Sequence, residues 1–306
     1  KRMKKTILVL MGGISEEKEI SILSGRACVR ALKKRKYKVK VLDPKGNFIN
    51  EIRKIKPKIV FNALHGRFGE DGYIQSILEA EKIKYTHSGV LASSIAIDKL
   101  VSRKIFIDKK INTPKFFTYN YNDSLNIHAL IKKLKINFPV VIKPINEGSS
   151  IGVYICTKKN LNKNLKKLRK YNKILVEKYI PGREIQVAVM DNKALGAIEL
   201  KPKRKFYDYF AKYSSKAKTK HIMPAPLESK KYKEVLEIAR KAHLSLGCKG
   251  ITRSDFRYHN NKFFLLEINT QPGMTNLSLV PEIAAYRGIK FENLVEWMVK
   301  DAGYDR

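Results

Sequence analysis

The chain has 306 residues, 43% of them hydrophobic, and a formal net charge of +35. That length holds two or three packed domains of roughly 100–200 residues each, and no apolar run approaches the ~20 residues of a membrane-spanning helix. The three cysteines, Cys28, Cys156 and Cys248, are far apart and odd in number, which speaks against a disulfide framework or a CxxC zinc site and fits a reducing cytoplasm.

KRMKKTILVLMGG (1–13) imitates a secretory leader, with basic residues before an apolar run. The run is only TILVLM, GGISEE follows it, and no small-residue cleavage site is present, so a first buried strand is expected. A helix-like segment runs from Ser15 to about Lys34. Tyr37–Leu42 alternates as a strand, and KIVFNALHG (58–66) is a second apolar run ending at a glycine. Strands alternating with helices predict an open parallel α/β layer. Ligands gather at the carboxyl ends of such strands, where Gly12–Gly13 and His65–Gly66 fall.

Residues 89–99 read as helical. NTPKFFTY (112–119) then opens a region of β-rich runs punctuated by Gly and Pro: FPVVIKP (138–144), EGSSIGV (147–153) and KILVEKYIPGREIQVAVM (173–190). Between them lies the densest lysine run, Lys158–Lys173. Its Leu161, Leu165 and Leu168 recur at helical spacing, which makes it a solvated amphipathic helix before it is a nucleic-acid contact. Lysines are spread over nearly the whole chain, so the +35 charge reads as compositional bias. Even so, it attracts anions and makes binding salt-sensitive.

A third region starts near Pro181. It holds a strand at Ala194–Leu200, a basic and aromatic stretch at 201–226, a helix at Lys230–Leu246, and strands at Ile251–Tyr258 and Lys262–Asn269. A connection as long as 201–226 inside a domain is functional or disordered.

The chemistry-bearing residues cluster in these runs. In RSDFRYHNNKFFLLEINT two apolar strands flank an HNN turn (259–261). Alternation then sets Asp255, Glu267 and Asn269 on one face. Three oxygen donors there suit a hard divalent cation. A buried carboxylate paired with Arg253 or Arg257 is an equal alternative on these residues alone. Lys143 ends an apolar strand, either snorkelling or held beside a phosphate. NEGSSIG (146–152) offers free backbone N–H groups for an anion, or is a simple tight turn. The backbone of VEKYI (176–180) can pair with an adenine edge, and Glu184 with ribose hydroxyls.

The order is strand-lysine, Gly-Ser loop, EKYI, the acid in PGRE, then D…ExN on a hairpin. It resembles the ATP-grasp enzymes. MGGISEEKEISILSG (11–25), ALHGRFGEDGYIQSILE (63–79), SGVLASSIAIDK (88–99), KPINEGSSIGV (143–153), FYDYFAKY (206–213) and LLEINTQPGMTNLSLVP (265–281) are similar to the D-alanine–D-alanine ligases, from about Thr6 to the end.

The resemblance implies an α/β chain with an N-terminal open parallel α/β domain (1–97). Two α+β lobes (98–180 and 181–306) would clamp ATP, the second carrying a lid loop at 203–222. The implied reaction joins two D-alanines through a D-alanyl phosphate and a tetrahedral intermediate, for peptidoglycan precursor synthesis.

By the same resemblance Lys99, Lys143 and Lys212 are phosphate lysines. Glu177, Lys178, Ile180 and Glu184 are adenosine contacts. Asp255, Glu267 and Asn269 hold two Mg²⁺ ions, with Mn²⁺ as a substitute. Glu17, His65, Ser278 and Leu279 bind the two substrates. Arg253 and the Gly273 N–H form the oxyanion hole, and Tyr213 with Ser149 and Glu17 latches the lid. Members that make D-alanyl-D-lactate tend to carry Phe where this chain has Tyr213, which favours the dipeptide.

A D-lactate, D-serine or other amino-acid ligase of the same class is the first alternative, and a basic nucleic-acid-binding protein the remote one. KTKHIMPAP (218–226) is more basic than the acidic-aromatic version in the family, which bears on lid anchoring. The partners expected are ATP and two D-alanines, without nucleic acid or membrane, in a cytoplasmic homodimer.

Overall fold

The computed structural model describes residues 6–122, 126–201, 219–275, 277–304 and 306. Thr6–Leu10 (β1), Lys38–Leu42 (β2), Ile59–Asn62 (β3) and Lys84–Tyr85 (β4) form a parallel sheet in the order β2-β1-β3-β4. β1 and β3 are covered on both faces, so they read as continuous apolar runs rather than as alternation. The strand order reverses beside β1, which opens a crevice at the carboxyl ends of β1 and β3. Lys18–Lys34 (α1), Phe48–Ile55 (α2) and Tyr73–Ala80 (α3) accompany this sheet.

Val90–Ile97 (α4) and Lys99–Asp108 (α5) follow, broken at Asp98. The Asp98 carboxylate accepts from the backbone N–H groups of Leu100 and Val101 and so caps α5. This fixes Lys99 in the first turn.

The second sheet is antiparallel, in the order β5-β8-β6-β7. Its strands are Phe116–Asn120 (β5), Val140–Pro144 (β6), Tyr154–Cys156 (β7) and Lys173–Lys178 (β8). Ile127–Lys133 (α6) and Leu161–Lys167 (α7) pack on it. The lysine-rich run thus makes a helix shorter than expected. Leu161, Leu165 and Leu168 are buried beneath its lysines. Residues 147–153 form turns rather than a strand.

The third sheet runs β11-β10-β9-β12-β13, also antiparallel. It comprises Arg183–Met190 (β9), Lys193–Lys201 (β10), Lys220–Ile222 (β11), Ile251–His259 (β12) and Lys262–Asn269 (β13). β11 lies inside the stretch expected to be irregular. Ser229–Ser245 (α8), Leu279–Tyr286 (α9) and Phe291–Asp301 (α10) complete the described elements.

Cores cross the segment boundaries. Ile7, Val9 and Leu32 share one cluster with Leu294, Val295 and Met298 of α10. Ala92, Ala96 and Phe106 share another with Val187, Val235 and Leu265. Cys28, Cys248 and Cys156 are free thiols buried in three different clusters. No helix among the described residues is long and apolar enough to cross a membrane.

Candidate active site

The β12–β13 hairpin turns on Asn260 and Asn261 alone, both left-handed with φ 45° and 61°, the backbone of a two-residue type I′ turn. His259 therefore faces Lys262. Regular pairing from there would set Asp255 opposite Leu266 and turn Glu267 to the other face. Instead Phe256 pairs with Leu265 while Asp255 pairs with Glu267, so Leu266 is one extra residue. This bulge returns Glu267 and Asn269 to the face of Asp255 and Arg253. The expected common face is present, but by a shorter turn plus a bulge rather than by a turn over 259–261. Two tertiary bonds hold the bulge. Leu265 N donates to Asn112 O at 2.8 Å and Arg103 Nη2 to Leu266 O at 3.2 Å.

Between the second and third sheets this face borders a cavity lined by Lys143, Glu177, Ile180, Glu184, Asp255 and Glu267, with Lys99 and Lys178 beside them. Lys143, on β6, sits 2.9 Å from Glu177 on β8, and both are buried. Arg103, wholly buried on α5, makes a second ion pair with Glu177. Burial alone would raise the Glu177 carboxyl, but Arg103 and Lys143 outweigh it and hold it below the ordinary range. Burial brings the Lys143 ammonium down to about 8, with Glu177 opposing.

The Glu177 side chain is thus committed to cations, which differs from a direct adenosine contact. β8 is also a central strand, paired with β5 and β6. Its backbone is therefore not open to an adenine edge at Val176–Lys178. The chain leaves the ladder at Tyr179–Ile180. Arg257 holds that exit by donating to Ile180 O at 3.1 Å and to the Tyr179 hydroxyl at 3.2 Å. It also reaches Glu184 at 3.5 Å.

Asp255 is held by Arg253 in a two-point contact, 2.7 Å and 3.0 Å. Of the two candidate arginines, this is the one that pairs with it. Glu267 is 3.2 Å from Lys99, which also donates to Glu147 O. The Asn269 side-chain oxygen accepts from Gln271 N at 2.8 Å. Among the described residues no cluster of three or more His, Cys, Asp or Glu is built for a metal. The donor set is two carboxylates and an amide oxygen on one face. It fits Mg²⁺, which takes one or two carboxylates and fills its shell with water and phosphate.

A second cavity adjoins the first and shares Lys99, Glu147 and Glu267 with it. Glu17, His65, Glu70, Ser149, Arg253 and Asn269 line it. Glu17, just before α1, accepts a short hydrogen bond from the Ser149 hydroxyl. Gly66 permits this approach. Its φ is +71° and a Cβ there would lie 2.7 Å from Glu17 Oε2. His65 is buried, with Nδ1 3.2 Å from Glu70 and Nε2 3.1 Å from Ser24 Oγ. It is both a satisfied imidazole and a wall of the cavity.

Gly273, Ser278 and Leu279 lie on the segment that continues from β13 into α9. A Cβ on Gly273 would come 2.8 Å from Ser278 Oγ. The Leu279 side chain is in the core, so only its backbone N–H, at the α9 N-terminus, can meet a ligand. Ser24 Oγ ties this segment to His65 by also accepting from Met274 N at 3.1 Å. Lys212 and Tyr213 lie outside the described residues.

Sequence reading passed over Arg103, Glu147, Glu70 and Ser24. Glu147, Glu70 and Ser24 stood inside the quoted strings, whereas Arg103 carries no signal beyond its place four residues after Lys99.

A parallel α/β layer, two antiparallel sheets and a cavity of lysines and carboxylates between those sheets define an enzyme of the ATP-grasp class. The family model described as D-ala D-ala ligase C-terminus matches residues 105–300. A D-alanine–D-alanine ligase of Pelagibacter ubique is 60% identical over 99% of this chain and 100% of its own. One of Wolbachia pipientis wMel is 48% identical over 98% and 95%. Among solved structures, a Bacillus anthracis D-alanine–D-alanine ligase superposes with a TM-score of 0.86 at 33% identity, covering 97% of each chain. The same organism's ligase complexed with ATP superposes at 0.84 and 29%, again over 97% of each. The chain belongs to the D-alanine–D-alanine ligase family.

Proposed function

We propose that this protein joins two D-alanines to D-alanyl-D-alanine at the expense of ATP, supplying peptidoglycan precursor synthesis. The observation that carries the reading is the pair of adjoining cavities sharing Lys99, Glu147 and Glu267. One sets Lys99, Lys143, Lys178 and Arg257 among carboxylates and fits a nucleotide. The other holds Glu17, an anion placed for an amino acid's ammonium. A phosphoryl group passing between them meets its acceptor carboxylate without leaving the protein.

The γ-phosphoryl group moves to the carboxylate of the first D-alanine, giving an acyl phosphate and ADP. The amine of the second attacks the acyl carbon, and phosphate leaves the tetrahedral intermediate. Phosphoryl transfer is mostly positioning and charge compensation. Lys99, Lys143 and Lys212 serve the phosphates, the Tyr179–Ile180 exit with the Lys178 side chain the adenine, and Glu184 the ribose. Glu17 and His65 hold the first substrate. Ser278 and the Leu279 N–H hold the second substrate's carboxylate. Arg253 and the Gly273 N–H stabilise the oxyanion. Asp255, Glu267 and Asn269 would hold Mg²⁺, or Mn²⁺ in its place, two ions being usual in the family, and bound metal would supply compensation of phosphate charge.

Tyr213, with Ser149 and Glu17, closes the site against water. Changing Tyr213 to Phe is expected to raise use of D-lactate relative to D-alanine. The domain limits 1–97, 98–180 and 181–306, each holding one sheet, a cytoplasmic location and a homodimer remain part of the proposal. Sedimentation tests the homodimer.

ATP-dependent phosphate release with D-alanine against L-alanine tests the reading. Release with D-alanine is expected. Release only with D-alanine plus D-lactate or D-serine would reassign the second substrate, and nanomolar nucleic-acid binding at moderate salt would reopen the remote alternative.

A further inference from the structure

Behind Glu177, which lines the nucleotide cavity, lies a cation that no assigned role uses. Arg103 is completely buried on α5, one turn after Lys99. Its guanidinium pairs with Glu177, donates to the Leu266 bulge carbonyl at 3.2 Å and lies 5.4 Å from the Phe116 ring centre. It therefore touches β8, β13 and β5 together. Glu177 in turn has two cations, Arg103 and Lys143. Around Lys143 the facing charges are Glu177 on β8, Arg103 and Lys99 on α5, and Glu267 on β13.

Consider the cavity without Arg103. Glu177 would be a buried carboxylate with Lys143 as its one close cation among the described residues. A buried anion costs several kcal/mol unless paired, so Lys143 would be locked onto it and its charge spent there. With Arg103 present, Glu177 keeps a partner when the Lys143 ammonium turns toward an incoming phosphate. We propose that Arg103 is a positioning residue, the standing counter-ion of Glu177, which leaves the Lys143 charge available to the nucleotide phosphates. This rests on the nucleotide-binding reading above. Its bond to the Leu266 carbonyl gives the same side chain a second task, pinning the bulge that aims Glu267.

The test separates phosphate from adenosine recognition. ADP and adenosine binding are measured by calorimetry for the unaltered protein, Arg103→Met, Arg103→Lys and the double variant Arg103→Met/Glu177→Gln. In Arg103→Met the preference for ADP over adenosine is expected to fall on the order of tenfold, with adenosine affinity kept. Arg103→Lys restores most of it. In the double variant the anion that captures Lys143 is gone, so the preference returns.

Equal weakening of ADP and adenosine in Arg103→Met would mean a purely structural arginine and overturn the proposal. So would a double variant that does not regain the preference. Should Arg103→Met fail to fold, the double variant decides alone, since it removes both buried charges together. An unaltered protein that binds ADP no better than adenosine would instead overturn the nucleotide reading itself.

Discussion

Among single residues, Lys143 joins two effects of opposite sign. Burial brings its folded-state pKa down to about 8, while an unfolded lysine titrates near 10.4. Between those values the unfolded chain binds more protons, so stability contributed at this site rises with pH, the burial penalty being relieved once Lys143 is neutral. Phosphate affinity moves the other way. ADP binding is expected to weaken as pH rises through about 8, and calorimetry across pH 7–10 on the protein and on Lys143→Arg checks it, since the variant should lack the decline. Glu267→Gln should lower turnover on the order of 10²-fold or more through lost charge compensation. Near-normal activity in saturating Mg²⁺ would remove Glu267 from a metal role. Gly66→Ala places a Cβ 2.7 Å from Glu17 Oε2. Its KM for D-alanine should rise while ADP affinity holds. Residue types were legible because lysines and carboxylates stood at strand ends. Their partners were not, because Arg103 meets Glu177 across 74 positions of chain, a pairing only the packed fold creates.

Among elements, the β12–β13 hairpin shows how far pattern reading reaches. Both strands were readable as apolar runs, and β13 matches its expected limits. The register was not readable, since the bulge at Leu266 depends on the Asn112 and Arg103 bonds from outside the hairpin. β8 was likewise recognisable as a strand, but its central place in the sheet depends on which neighbours flank it. Asn261 offers a test at the tip. Its φ of 61° is costly for a branched residue, so Asn261→Val should lose about 1–2 kcal/mol of stability. Denaturant melts measure this, and KM for ATP should stay unchanged because neither turn residue lines the nucleotide cavity. A register slip would instead lower activity along with stability.

For the whole molecule, the first sheet shares its core with the last helix. Ile7, Val9 and Leu32 pack in one cluster with Leu294, Val295 and Met298, and Tyr85 bonds to Gly303. A fragment of residues 1–97 is therefore expected to bind a hydrophobic dye and to melt without a sharp transition. A cooperative melt of that fragment would show that the first layer folds alone. The +35 charge acts at this scale too. Its field should draw in ATP, so KM for ATP should climb with added salt, and an insensitive KM would confine the effect to the cavity.

The placement of the cysteines has a practical consequence. Burial raises all three thiols, Cys248 to about 12, so in the native protein they are shielded and poorly nucleophilic. Each sits in a different apolar cluster, and none is assigned a part in the chemistry. The chain thus carries three silent clocks, one per cluster. The rate at which each becomes alkylated, read by mass spectrometry, times how often that part of the protein opens. Adding nucleotide would show which clocks slow together.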